Sequence, residues 1–164
     1  MNLLRMQPRI GVDALETIAS GVDHAEGICL TPDGTLYVSG EAGQIDRVNG
    51  DGTVTEVATT GGWTLGLAAD ANGRIYACDP VRRAVLRWTP STNEVKVVST
   101  GNQDDPVSTP NWGAFGPDGS YSVSDSEPGS SGMAGYTSCA AEDLAGDGGY
   151  GRLSQWARGV TRWA

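Results

Sequence analysis

Phenylalanine and histidine each occur once in this chain, and lysine and arginine together only eleven times against twenty Asp and Glu. No apolar run approaches the eighteen or so residues that a membrane-spanning helix requires. The formal charge of −9 disfavours nucleic acid and anionic membrane surfaces, which would repel the chain at long range. The three cysteines, Cys29, Cys78 and Cys139, are odd in number and widely spaced. Neither a disulfide framework nor a zinc site is therefore expected, and Cys29 and Cys78 read as small buried apolar residues in a cytoplasmic protein. The start, Met1 to Ile10, carries two Arg and a Pro in place of a continuous apolar segment, so no export signal is expected.

What is abundant is punctuation. Gly and Pro account for 32 of the 164 residues, 24 and 8 respectively, which suits tight turns between short strands better than helices. The hydrophobic fraction of 38% supports a folded core and the charged fraction of 19% is too low for typical disorder. Length alone allows one ordinary domain.

The turns recur at a fixed place in an internal repeat. EGICLTPDGTLYVSG from Glu26, LGLAADANGRIYACD from Leu65 and NWGAFGPDGSYSVSD from Asn111 align without gaps. Their turn glycines, Gly34, Gly73 and Gly119, lie 39 and 46 residues apart, the period of a four-stranded propeller blade. Each copy reads as strand, tight turn, strand. Ile28, Leu30, Leu36 and Val38 share one face in the first copy, with Leu67 and Ile75, then Phe115, Tyr121 and Val123, in equivalent places. Gly43 to Thr59 and Ala84 to Thr100 each add two further strands, completing two blades. The expected fold is all-β, a partial propeller of about two and a half blades. Residues 1–18 form a lead-in, 19–126 the blades and 127–164 an irregular tail.

The position eight residues before each turn glycine, at the entry to the first and innermost strand, holds Glu26, Leu65 and Asn111. Two oxygen donors on a shared axis are what a hard cation such as Ca²⁺ seeks, whereas a Glu or Asn at a strand entry otherwise serves as a solvated turn residue. His24 reads as a turn residue near the channel mouth. Trp63, Trp88 and Trp112 read as blade-packing residues, with Trp112 placed beside Asn111 where it could line a pocket. Asp79 and Asp125, which end their strands, read as turn acceptors in preference to catalytic acids.

The runs HAEGICLTPDGTLYVSG, LGLAADANGRIYACD and TPNWGAFGPDGSYSVSDS resemble the family of SMP-30, gluconolactonase and luciferin-regenerating enzyme over about Leu15 to Ser126. That resemblance implies a six-bladed propeller with a divalent cation, usually Ca²⁺, in its channel, and a small-molecule lactone or sugar-acid substrate. It implies Glu26 as the first metal ligand and Asn111 as the Asn that contacts the metal site from the third blade. The family's later ligands, an Asn in Pro-Asn-Gly and a subsequent Asp that can act as base, have no counterpart here. The expected function is thus a truncated calcium-dependent lactone hydrolase with an incomplete site and little activity. The alternative is a non-enzymatic propeller fragment serving as an interaction scaffold, self-associating through open strand edges.

A six-bladed ring needs roughly 240 to 300 residues. After Ser126 the strand alternation ends in a Gly- and Ala-rich stretch, in which Trp156, Arg158, Arg162 and Trp163 do not amount to a nucleic-acid patch beside so acidic a body. Leu153–Ala164 can be encoded so that a shifted frame reads Phe-Pro-Asn-Gly-Leu-Ala-Val-Ser-Pro-Asp-Gly, the form of a further blade entry. Gly132–Cys139 yields a strand-like sequence in another frame, and the tail is accordingly expected to be frame-shifted.

Overall fold

A computed structural model describes residues 14–103 and 106–126, together with the backbone of strand Gly135–Cys139. The first blade is a four-stranded antiparallel sheet in chain order, β1 (Ile28–Leu30), β2 (Leu36–Ser39), β3 (Gln44–Val48) and β4 (Val54–Thr59). The second repeats it as β5 (Leu67–Ala69), β6 (Ile75–Asp79), β7 (Ala84–Thr89) and β8 (Glu94–Ser99). The third contains β9 (Pro110–Phe115), β10 (Tyr121–Asp125) and β11 (Gly135–Cys139). The last of these lies inside the stretch expected to be irregular, and its backbone pairs with β10 over five residues. The remaining tail, with its aromatic and basic residues, and lead-in residues 1–13 lie outside the described residues. Among the described residues no helix is long and apolar enough to cross a membrane.

The hairpins close as the repeat dictates. Gly34, Gly73 and Gly119 take φ of 85°, 75° and 82°, a conformation that side chains resist, and each donates its N–H to the carbonyl three residues earlier. Asp33 and Asp118 accept the N–H two residues on, from Thr35 and Ser120, and the hydroxyls of Thr31 and Ser120 respectively. These bonds hold both carboxyls below their usual range. The second hairpin has Asn72 at that place, and the carboxylate moves to Asp70, which accepts the N–H groups of Asn72 and Arg74.

Two apolar layers bind the three blades. Cys29, Tyr37 and Ile45 of the first blade meet Leu67, Ile75, Ala77 and Trp88 of the second, with Tyr37 edge-on to Trp88 at 5.6 Å. Tyr76, Cys78 and Val85 on the other face of the second blade meet Tyr121, Val123 and Phe115 of the third. There Tyr76, Phe115 and Tyr121 form a ring cluster with centroids 4.8–5.3 Å apart. Cys29 and Cys78 lie within these layers outside any disulfide, Cys78 Sγ 3.9 Å from the Tyr121 hydroxyl, and burial pushes the Cys29 thiol up to about 12.

The register places Ile28 opposite Val38 and Leu30 opposite Leu36, so the four do share one face. In the second and third blades the equivalent face packs on the blade before it. On the first blade that face is exposed at β1, with Ile28 at 52% and Leu30 at 63%, while Val38 on β2 is buried at 6%. Further out on that face Asp46 is buried opposite Val38 and beside Glu56. Desolvation, then the charges of Glu56 and Asp23, raise its pKa.

Candidate metal site at the channel mouth

The blades converge along one edge. Strands β1, β5 and β9, each at the edge of its sheet, pack in sequence on one another. Gly66 N–H donates to the Asn111 carbonyl at 2.8 Å, and Ser39 Oγ donates to the Leu65 carbonyl at 2.6 Å. These bonds tie the three strand entries together, so Glu26, Leu65 and Asn111 follow one another around the mouth. Glu26 and Asn111 are exposed, and Leu65 between them is buried at 9%.

The close spacing depends on glycine. A Cβ at Gly27 would collide with the Leu65 carbonyl and approach Ser39 Oγ to 2.8 Å; at Gly66 it would stand 2.7 Å from the Asn111 carbonyl oxygen. Ser39, fully buried, accepts the Gly27 N–H at 2.7 Å while bonding the next blade. Ser124, five residues after its own turn glycine as Ser39 is after Gly34, accepts the Trp112 N–H at 3.1 Å. This serine clamp went unnoticed in the sequence although its repeat position was visible there.

The flanking residues have structural employment. His24 adopts φ 41° and lies 2.9 Å from Glu41 in an exposed pair. Asp79 accepts the N–H groups of Trp63 and Arg82, and Asp125 those of Ser108 and Thr109. Both bind the backbone sixteen residues upstream and so fasten the loop entering each innermost strand. Asp79 also closes a turn through the Arg82 N–H, as a turn acceptor does, whereas the bonds of Asp125 reach back to Ser108 and Thr109 and not into a turn. Trp88 is a packing residue, 4% exposed. Trp112 is not: it is 42% exposed.

As a cation site the mouth offers a carboxylate and an amide oxygen, hard donors suited to Ca²⁺, but two of the six to eight oxygens that ion takes. Among the described residues no three His, Cys, Asp or Glu are grouped so as to hold a metal. The donor chemistry fits; water would have to complete the shell.

In three dimensions the chain is similar to parts of several solved structures. A gluconolactonase from Xanthomonas campestris superposes with TM-score 0.62 at 22% identity, over 74% of this chain and 45% of that one. The fold is that of the gluconolactonase propellers. A second protein assigned as a gluconolactonase gives TM-score 0.64 at 18% identity, covering 78% and 49%. An aldose sugar dehydrogenase from Streptomyces coelicolor, bound to PQQ, gives 0.57 at 21% identity, covering 75% and 47%. This chain thus spans about half the length of the gluconolactonase propellers it matches. No family model matches the sequence, and no curated protein does.

Proposed function

We propose that the chain carries the first part of a calcium-dependent lactone hydrolase site. The observation that supports this reading is the exposure of Glu26 and Asn111 at the entries of β1 and β9, tied around a shared mouth through β5. Glu26 would hold the cation with its carboxylate and Asn111 with its amide oxygen. When bound, Ca²⁺ supplies Lewis acidity toward a lactone carbonyl and acidifies a bound water. Leu65 gives the mouth an apolar floor. Hydrolysis also needs a base; of the acids nearest in the repeat, Asp125 accepts backbone N–H groups on both oxygens, and Asp79 accepts two on Oδ1 while its Oδ2 is buried away from the mouth's solvent without a hydrogen-bond partner. Binding without appreciable turnover is the expected behaviour.

Calcium titration calorimetry tests the reading: the wild-type chain is expected to bind one ion and Glu26→Ala to bind at least tenfold more weakly. Equal heats from the two proteins, or none from either, would sink it.

A second reading is an interaction scaffold that self-associates, favoured by the exposed Ile28 and Leu30 of β1. The occupant is a second copy, its own Ile28 and Leu30 stacked on theirs, because the equivalent faces of the other blades are each covered by a sheet. Asp46, with Glu56 and Asp23 facing it, opposes this while charged. Its raised pKa favours the neutral acid, so association is expected to strengthen as pH falls and Asp46→Asn to shift the equilibrium toward dimer at pH 7. Sedimentation equilibrium reads this directly; monomers at all concentrations in both proteins exclude it.

A further inference from the structure

Around the mouth the residue that follows the strand-entry position is Gly27, Gly66 and then Trp112. The first two are glycine because the next blade's backbone approaches them directly. The third departs from the repeat, next to a register irregularity at Ser124/Asp125 that the first two blades lack, while the serine clamp is kept. Ser124 Oγ accepts the Trp112 N–H at 3.1 Å, as Ser39 Oγ accepts the Gly27 N–H at 2.7 Å, and donates to the Trp112 carbonyl at 3.2 Å, where Ser39 instead donates to the Leu65 carbonyl. Trp112 is thus the place where an otherwise regular channel edge acquires a large side chain.

The indole lies toward the second blade. A Cβ at Gly66 would stand 3.1 Å from Trp112 Cδ2, so the absence of a side chain at 66 leaves the room in which the ring rests over β5. At 42% exposure the indole still offers an apolar plane to solvent, with the exposed Asn111 amide as its chain neighbour and the Glu26 carboxylate on the same mouth. An aromatic plane beside hydrogen-bonding groups is the chemistry that holds a sugar ring, whose C–H face is apolar and whose hydroxyls need donors and acceptors.

We propose that Trp112 is the stacking platform for a closed six-membered polyhydroxylated ring, with the Asn111 amide taking its hydroxyls. The ligand class rests on the lactonase reading, while the platform rests on the geometry of Trp112 alone. A closed ring presents one flat C–H face to the indole. An open-chain sugar acid does not, and its carboxylate is repelled by Glu26. The platform therefore selects ring over opened acid.

The test uses methyl β-D-glucopyranoside as the closed-ring probe and D-gluconate as the open-chain one, observed by saturation-transfer NMR on the whole chain, with Ca²⁺ and with chelator. Wild type and Trp112→Phe are expected to bind the glucoside, Trp112→Ala roughly tenfold more weakly, and none to bind gluconate comparably. Because Trp112 is exposed, unchanged circular dichroism is expected of the Ala variant; if it misfolds, the ratio of glucoside to gluconate binding in Trp112→Phe carries the test. No binding by wild type, equal binding by wild type and Trp112→Ala, or a preference for gluconate overturns the platform. Glucoside binding that depends on Trp112 but not on calcium, with no calcium heat, would leave the platform standing and remove the lactonase reading.

Discussion

Tyr76→Ala is expected to lower the unfolding free energy by about 3–5 kcal/mol, the range for truncating a fully buried aromatic. Tyr76 has no exposed surface and sits in β6, the second strand of the middle blade. Its ring meets Phe115 edge-on at 4.9 Å and lies 5.3 Å from Tyr121, so its removal opens a void in the layer that joins the second blade to the third. The surrounding strands are hydrogen-bonded on both sides and cannot collapse into that space. Tyr76→Phe keeps the ring and loses only the hydroxyl, for which about 1 kcal/mol is expected. Urea denaturation distinguishes the two. If Tyr76→Ala costs no more than Tyr76→Phe, the layer is not what holds the blades together.

The second large effect is expected at Gly27. In Gly27→Ala the new methyl meets the Leu65 carbonyl, the Leu67 N–H and Ser39 Oγ, of which the first two are backbone and cannot rotate away. β1 must move off β5, at about 1–3 kcal/mol by the scale of overpacked sites, and calcium binding should weaken with it because Glu26 is the adjacent residue. Gly50→Ala is the control, since a Cβ there meets nothing within 4 Å. Thermal melts of the two variants should separate by several degrees, roughly 2–8 °C for a domain of this size. Equal melting temperatures would mean that the innermost strands are not in the close contact described.

The hairpin signals show why so much of the fold was legible. A turn glycine and the alternation beside it are local: φ near +80° at Gly34 and the pairing of Leu30 with Leu36 follow from a handful of neighbouring residues. Repetition of that local pattern then implied sheets that stack, and Glu26 and Asn111 shared a place because the repeat shares one. The Asp79 turn contact with the Arg82 N–H was legible for the same reason, whereas the bonds of Asp125 to residues sixteen and seventeen positions upstream were not. Exposure was not. Ile28 and Leu30 have the pattern of core residues, and only the absence of a covering sheet among the described residues leaves them in solvent. Trp112 likewise reads as a packing residue until its neighbours are known.

By itself, then, the sequence determined the strands, their turns, the blade period and the two oxygen donors at the strand entries, since each depends on residues close in the chain. The tertiary structure decided which face of each blade is covered, that Gly27 and Gly66 are held to glycine by the backbone of the following blade, and that the Trp112 indole lies over β5. Those outcomes depend on contacts between residues about forty positions apart, where burial and close approach are settled by how neighbouring sheets meet and not by the pattern within any one of them.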